Sequence, residues 1–131
     1  MADDTFERGL EIRKAVLGPD HVERSMQSAD DFNRPYQEMI TDYCWGAVWG
    51  REGLPRKTRS LLNLAMLTAL GREDEFKLHV RGAIRNGVTK AEIQEVLLQA
   101  MIYCGVPAAN SAFAQARQVF KAMEDAGEPT G

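Results

Sequence analysis

Apolar positions along this chain recur every three or four residues almost from end to end, and no stretch alternates as a half-buried strand would. Glycine and proline punctuate the pattern. It predicts a first helix from about Thr5 to Leu17, stopped by the Gly18-Pro19 pair, and a short turn of helix from about His21 to Gln27. A third helix begins near Asp30 or Asp31, either of which suits an N-cap. Pro35 falls in its first turn or so, where proline is tolerated. Phe32, Tyr36, Met39, Ile40, Tyr43 and Ala47 form one stripe along it. At about 100° per residue, Trp45 and Trp49 fall on the opposite face, below Glu38. Two tryptophans on a second face are costly to leave in water. That face is therefore expected to meet another subunit, to wall a ligand pocket, or both.

The fourth helix, from Pro55 or Arg56 to Leu70 and ended by Gly71, is apolar nearly all round, so it is expected to be central and buried on several sides. The fifth runs from about Glu73 to Asn86 with Phe76, Val80, Ala83 and Ile84 as its stripe, and Gly87 closes it. Thr89-Lys90-Ala91-Glu92 reads as a capping box. It opens a sixth helix in which Ile93, Val96, Leu97, Ala100, Met101 and Cys104 keep helical spacing until Gly105. Pro107 restarts a seventh in its first turn, with Ala109, Ala112, Phe113, Ala116, Phe120 and Met123 inward. The tail from Gly127 is expected to fray. The pattern adds up to an all-α single domain over residues 1–131, a bundle of six to seven helices. The all-round apolar fourth helix and the second face of the third imply that it does not work as a monomer.

Composition narrows the function classes. A chain of 131 residues is long enough to bury a core without disulfide or metal staples. Sixteen basic against nineteen acidic residues, a net charge of -3, is not the surface of a nucleic-acid binder. No apolar run reaches membrane length, and the start, MADDTFERGLEIRK, has no apolar signal-peptide centre. A cytoplasmic location is expected, with neither nucleic acid nor membrane as partner. The cysteines, Cys44 and Cys104, have no CxxC or metal-ligand spacing and read as buried reduced thiols.

The chemistry centres on His79, one of two histidines. With Phe76 as origin, Val80 falls at about 40° and His79 at about -60°, at the edge of the apolar stripe. Glu75 lies one turn earlier, and Arg72 falls on the same side two turns away. The plain reading is a half-buried histidine satisfied by Glu75. The chemical reading is a proton donor or acceptor near neutral pH, at a water-poor edge beside a carboxylate. The residues gather too few ligands for a metal site, and no sharp nucleophile turn supports a serine triad.

The run from Cys44 to Phe113 resembles the 4-carboxymuconolactone decarboxylases. The block Cys44 to Leu54 with its tryptophans, the block HVRGAIRNGVT from His79, and the block YCGVPAA from Tyr103 carry the resemblance in order and spacing. FERGLEIRKAVLG, from Phe6, fits as well. The wider superfamily includes alkylhydroperoxidase-type thiol reductases with CxxCxxxH on the active helix and a glutamate on the preceding one. Here that pattern falls on Arg72, Glu75 and His79, and the glutamate's place is near Ser60. Only the histidine remains, so a thiol attack has no nucleophile and no resolving partner there.

The resemblance implies an alkylhydroperoxidase-like helical fold, a homo-oligomer (a hexamer built of dimers), no cofactor, and loss of carbon dioxide from a small lactone carboxylate to give the β-ketoadipate enol-lactone of protocatechuate breakdown. Under it His79 is the proton donor or dienolate stabiliser. Arg51 anchors a carboxylate, although an arginine at a helix end also serves as a dipole contact or surface charge. Trp45 and Trp49 wall the pocket or fill an interface. Arg81, far round the fifth helix from Phe76, serves a site only if a neighbouring subunit closes over it. Tyr103 hydrogen-bonds the lactone carbonyl, or packs in the core. Glu38, on the tryptophan face, takes part in proton traffic. The competing readings are a thiol-dependent peroxidase of the same superfamily and a non-catalytic helical module that binds partners.

Overall fold

The computed structural model describes residues 2–131. Among them lie seven α-helices and one π-helical segment, and no strand. They divide into two compact units, one ending at Pro55 and the other running from Arg56 to Gly131.

The first unit holds α1 (Ala2–Leu17), α2 (Pro19–Gln27), α3 (Arg34–Met39) and a π-helical segment (Ile40–Val48) that continues α3. Asp30 accepts from the backbone N–H groups of Phe32 and Asn33, so it caps a turn ahead of α3 rather than the helix itself. The π segment packs against α1 where two glycines let the backbones meet. A Cβ on Gly9 would collide with the Thr41 carbonyl oxygen, and one on Gly46 would stand 2.8 Å from Thr5 Cγ2. Arg13 of α1 is buried and donates from Nη1 to Thr41 Oγ1 at 3.1 Å. That burial lowers its guanidinium pKa.

The third helix passes into the π segment and turns its second face, not its longer apolar stripe, inward. The N–H of Trp49 reaches the carbonyl of Cys44, five residues back, at 2.9 Å. The tryptophans and the apolar stripe stand on opposite faces as expected, but the tryptophan face is the one turned inward. Trp45 and Trp49 are 5% and 7% exposed, inside the first unit. The stripe of Phe32, Tyr36, Met39 and Tyr43 is the exposed one, from 61% to 94%.

The second unit is a four-helix assembly of α4 (Arg56–Leu70), α5 (Glu73–Arg85), α6 (Lys90–Cys104) and α7 (Val106–Asp125). Its core gathers Leu64, Phe76, Val80, Ile93, Leu97, Ala116 and Met123 with their neighbours. Fully burying a side chain such as Leu64 or Phe76 contributes about 1.5–3 kcal/mol. The helix ends follow the sequence signals. Thr89 accepts from the Glu92 N–H, and Glu92 accepts from the Thr89 N–H. Gly87 takes φ +89, Val88 returns its N–H to Ala83 and is itself buried, a Schellman ending with its hydrophobic contact. The fourth helix is less enclosed than expected. Ser60, Leu64 and Thr68 are buried, while Leu62, Met66 and Leu70 form an exposed face. None of the described helices is long and apolar enough to cross a membrane.

Candidate active site

His79 sits where the sixty-degree offset from Phe76 puts it, half-buried at the edge of the α5 core stripe. Phe76 and Val80, at 1% and 0% exposure, fix the rotation of α5 against the core and so fix the ring's position. Asn63 of α4 faces it, with Nδ2 3.4 Å from His79 Nδ1. Asn63 is a polar residue in an otherwise apolar stretch, LLNLAML.

Glu75, one turn before His79, also pairs with Arg72. Its Oε1 accepts from Arg72 Nη2 at 2.6 Å, and this hydrogen bond is the main reason its carboxyl titrates below the usual range. The positive field of a charged His79 acts in the same direction. Both partners of the pair are open to solvent, so it adds little stability. What it does is hold a cation and an anion on the histidine side of α5.

Two turns beyond His79, Asn86 donates from Nδ2 to Ser60 Oγ at 2.9 Å. Ser60 is wholly buried, so this bond ties the end of α5 to the inner face of α4. A cavity of about 200 Å³ opens where α4 ends and α5 begins, lined among others by Thr68, Arg72, Glu73, Phe76, Ser111 and Gln115. Arg81 reaches Glu128 at 3.5 Å. Tyr103 is 83% exposed in the last turn of α6, which removes the core reading of that ring.

Four of the expected site residues belong to the first unit. Trp45 and Trp49 stack with centroids 4.8 Å apart and planes at 28°. Their burial leaves the rings little surface for a ligand. Arg51 is exposed just beyond the π segment, where its backbone N–H returns to the Val48 carbonyl at 3.1 Å. Glu38 is exposed on α3. Within the second unit the structure brings His79 together with Asn63, and sets Glu75 with Arg72 one turn and two turns before it. Sequence reasoning missed Asn63 and the Ser60–Asn86 bond. The one signal for Asn63 was its polarity in the middle of an apolar helix.

The thiols do not form a redox centre on α5. Both are free, Cys104 is exposed, and the expectation of two buried thiols holds only in part, for half-buried Cys44. Burial raises the Cys44 thiol pKa, against the pull of Arg13. That is the reverse of the lowered pKa that makes a thiolate nucleophile. Among the described residues, no group of three or more His, Cys, Asp or Glu side chains is placed to hold a metal ion.

The sequence model of the carboxymuconolactone decarboxylase family matches residues 34–118. A 4-carboxymuconolactone decarboxylase from Acinetobacter baylyi is 48% identical over 126 residues, covering 96% of this chain and 94% of that protein. Nitrosuccinic acid decarboxylase npaB from Metarhizium robertsii is 46% identical over 123 residues, 94% of this chain and 86% of its own. A 4-carboxymuconolactone decarboxylase sequence from Pseudomonas putida is 44% identical over 41 residues, 31% of this chain and 85% of that sequence.

Proposed function

The chain belongs to the carboxymuconolactone decarboxylase family, and from that premise we propose that it is a carboxy-lyase acting on 4-carboxymuconolactone, with the β-ketoadipate enol-lactone as product. The observation that carries this is the 48% identity to the Acinetobacter baylyi decarboxylase over 96% of the chain.

The substrate's chemistry explains what the protein has to supply. The leaving carboxylate sits on a ring carbon joined through the ring double bond to the lactone carbonyl. When its C–C bond breaks, the electron pair flows through that double bond to the carbonyl oxygen as CO2 departs. The pair then returns to the ring carbon next to the carbonyl, which takes a proton, and the double bond ends one position along. The substrate is its own electron sink, so this route uses no cofactor. The protein's tasks are to anchor the acetate arm, to keep water from the departing carboxylate, to donate to the developing oxygen charge and to deliver the proton.

In this reading His79 is the proton donor or the dienolate stabiliser, supported by its half-buried place beside Asn63. Arg51 is the carboxylate anchor, supported by its exposure and by the planar fork with which a guanidinium meets a carboxylate. Tyr103, exposed at the end of α6, hydrogen-bonds the lactone carbonyl. Arg81 and Glu38 are supporting polar groups. Trp45 and Trp49 hold the segment that presents Arg51 rather than touching substrate, because they are buried against each other. The working form is a cytoplasmic homo-oligomer in which one chain forms a single functional domain. Its uncovered faces support self-association: Phe32, Tyr36, Met39 and Tyr43 in the first unit, and Leu62, Met66 and Leu70 in the second.

The 46% identity to the nitrosuccinic acid decarboxylase favours a second substrate class, an aliphatic nitro acid. The logic is shared, since a carboxylate on the nitro-bearing carbon also leaves its electrons beside an acceptor. The test is a comparison of kcat/KM for CO2 release from the two acids by the purified protein without additions. At least a tenfold preference for the lactone is expected, and a preference for nitrosuccinic acid reverses the assignment.

A further inference from the structure

We propose that Asn63 is a positioning residue for His79, holding the neutral imidazole in the tautomer with its proton on Nε2. The inference rests on the reading of His79 as the group that meets the substrate's developing charge.

Asn63 presents Nδ2 to His79 Nδ1 at 3.4 Å. With its NH2 turned to the ring, the amide has hydrogens to give and no lone pair to offer, and in the proposed arrangement Nδ1 accepts. A neutral imidazole carries one N–H and one lone pair, which places the hydrogen on Nε2. A developing dienolate oxygen needs a donor, and only this tautomer offers one at Nε2. The opposite tautomer would turn a lone pair toward an oxygen that is gaining negative charge.

The separation is long for a hydrogen bond, and the frame around it is what makes it a device. α4 and α5 are held together by the buried faces of Ser60, Leu64, Phe76 and Val80, and by the Asn86–Ser60 bond at 2.9 Å. Glu75, the carboxylate on the same side of α5, accepts from Arg72. The group 3.4 Å from Nδ1 is the Asn63 amide. A carboxylate there would accept an Nδ1–H, and Nε2 would carry the lone pair. The cost is visible in the sequence, because asparagine is a poor helix former set between leucines.

The test uses the full chain labelled with 15N-histidine, at about pH 8.5, where an ordinary imidazole is neutral. Long-range 1H–15N correlation separates the two tautomers. The chain has two histidines, so a His79→Gln variant assigns the spectrum. The wild type should show a bare Nδ1 and a protonated Nε2 at His79. Asn63→Asp should invert that pattern, and Asn63→Leu should leave a mixture. Both variants should lower kcat at least about tenfold, in the sense of a misplaced catalytic tautomer, with KM within about twofold. A protonated Nδ1 in the wild type overturns the proposal. So does an unchanged tautomer in both variants, or full kcat in Asn63→Leu despite a lost tautomer preference. If instead His79→Gln keeps full turnover, it is the catalytic reading of His79 that falls, and the tautomer result identifies which of the two has failed.

Discussion

Replacing Gly9 by alanine tests the packing that builds the first unit. The new Cβ would strike the Thr41 carbonyl oxygen and lie 2.7 Å from the Gly46 nitrogen. Both are backbone atoms, and neither can swing aside as a side-chain tip would. Overpacking of this kind costs about 3 kcal/mol or more when no rotamer relieves it. Alanine returns about 1 kcal/mol through its higher helix propensity. The expected net loss is about 2 kcal/mol. Urea unfolding followed by tryptophan fluorescence reads this unit selectively, because both tryptophans of the chain, Trp45 and Trp49, lie in it. With a typical urea slope the midpoint should fall by on the order of 1 M. Gly53→Ala is the control, since a Cβ there meets nothing within 4 Å. Its midpoint should move little. A Gly9→Ala midpoint equal to that of the control would refute the close approach of α1 and the π segment.

Glu92 gives a pH signature. Its carboxyl is held below the ordinary value by the Thr89 backbone hydrogen bond first and then by Lys57. Its folded pKa is below its unfolded one, so its stabilisation is complete above about pH 4.3 and is lost as the pH falls through the folded value. Glu92→Gln keeps a capping-box acceptor but does not titrate. Its stability measured by circular dichroism should fall less steeply below about pH 4.3, and an unchanged slope would count against the link. Ser60→Ala removes the acceptor of Asn86 in a buried site and should cost about 1 kcal/mol in denaturant melts; no loss would mean the bond is replaced by water. Met66→Glu places a charge on the exposed face of α4. It should reduce the assembled species in sedimentation, and an unaltered distribution would free that face from any role in self-association.

The second unit was legible because local rules agree with its tertiary structure. Thr89 and Glu92 mark a helix start by their own hydrogen bonds. Gly87 marks an end because the chain there needs a positive φ. The Phe76 and Val80 stripe then sets where His79 stands. The first unit was less legible from Ile40 onward. Its i to i+5 bond arises from packing against α1 through Gly9 and Gly46, and a period of 3.6 residues cannot show it. The spacing separated the tryptophans from the Tyr36 and Tyr43 stripe, but it does not say which of the two faces packs against α1. Asn63 was invisible for another reason. Its partner lies sixteen residues away on a different helix, and one polar residue in an apolar run does not say what it faces.

The central claim is that this chain releases carbon dioxide from 4-carboxymuconolactone with His79 as proton donor or dienolate stabiliser. The direct measurement is CO2 release by the purified protein, without cofactor or thiol, beside a His79→Ala variant shown to be folded and of the same assembly state. The account predicts wild-type turnover and a loss of about 10²–10⁴ in kcat for the variant, the range that covers a proton-transfer group and an oxyanion donor. Equal turnover by the two proteins would contradict the role of His79, and no turnover by the wild type would contradict the substrate.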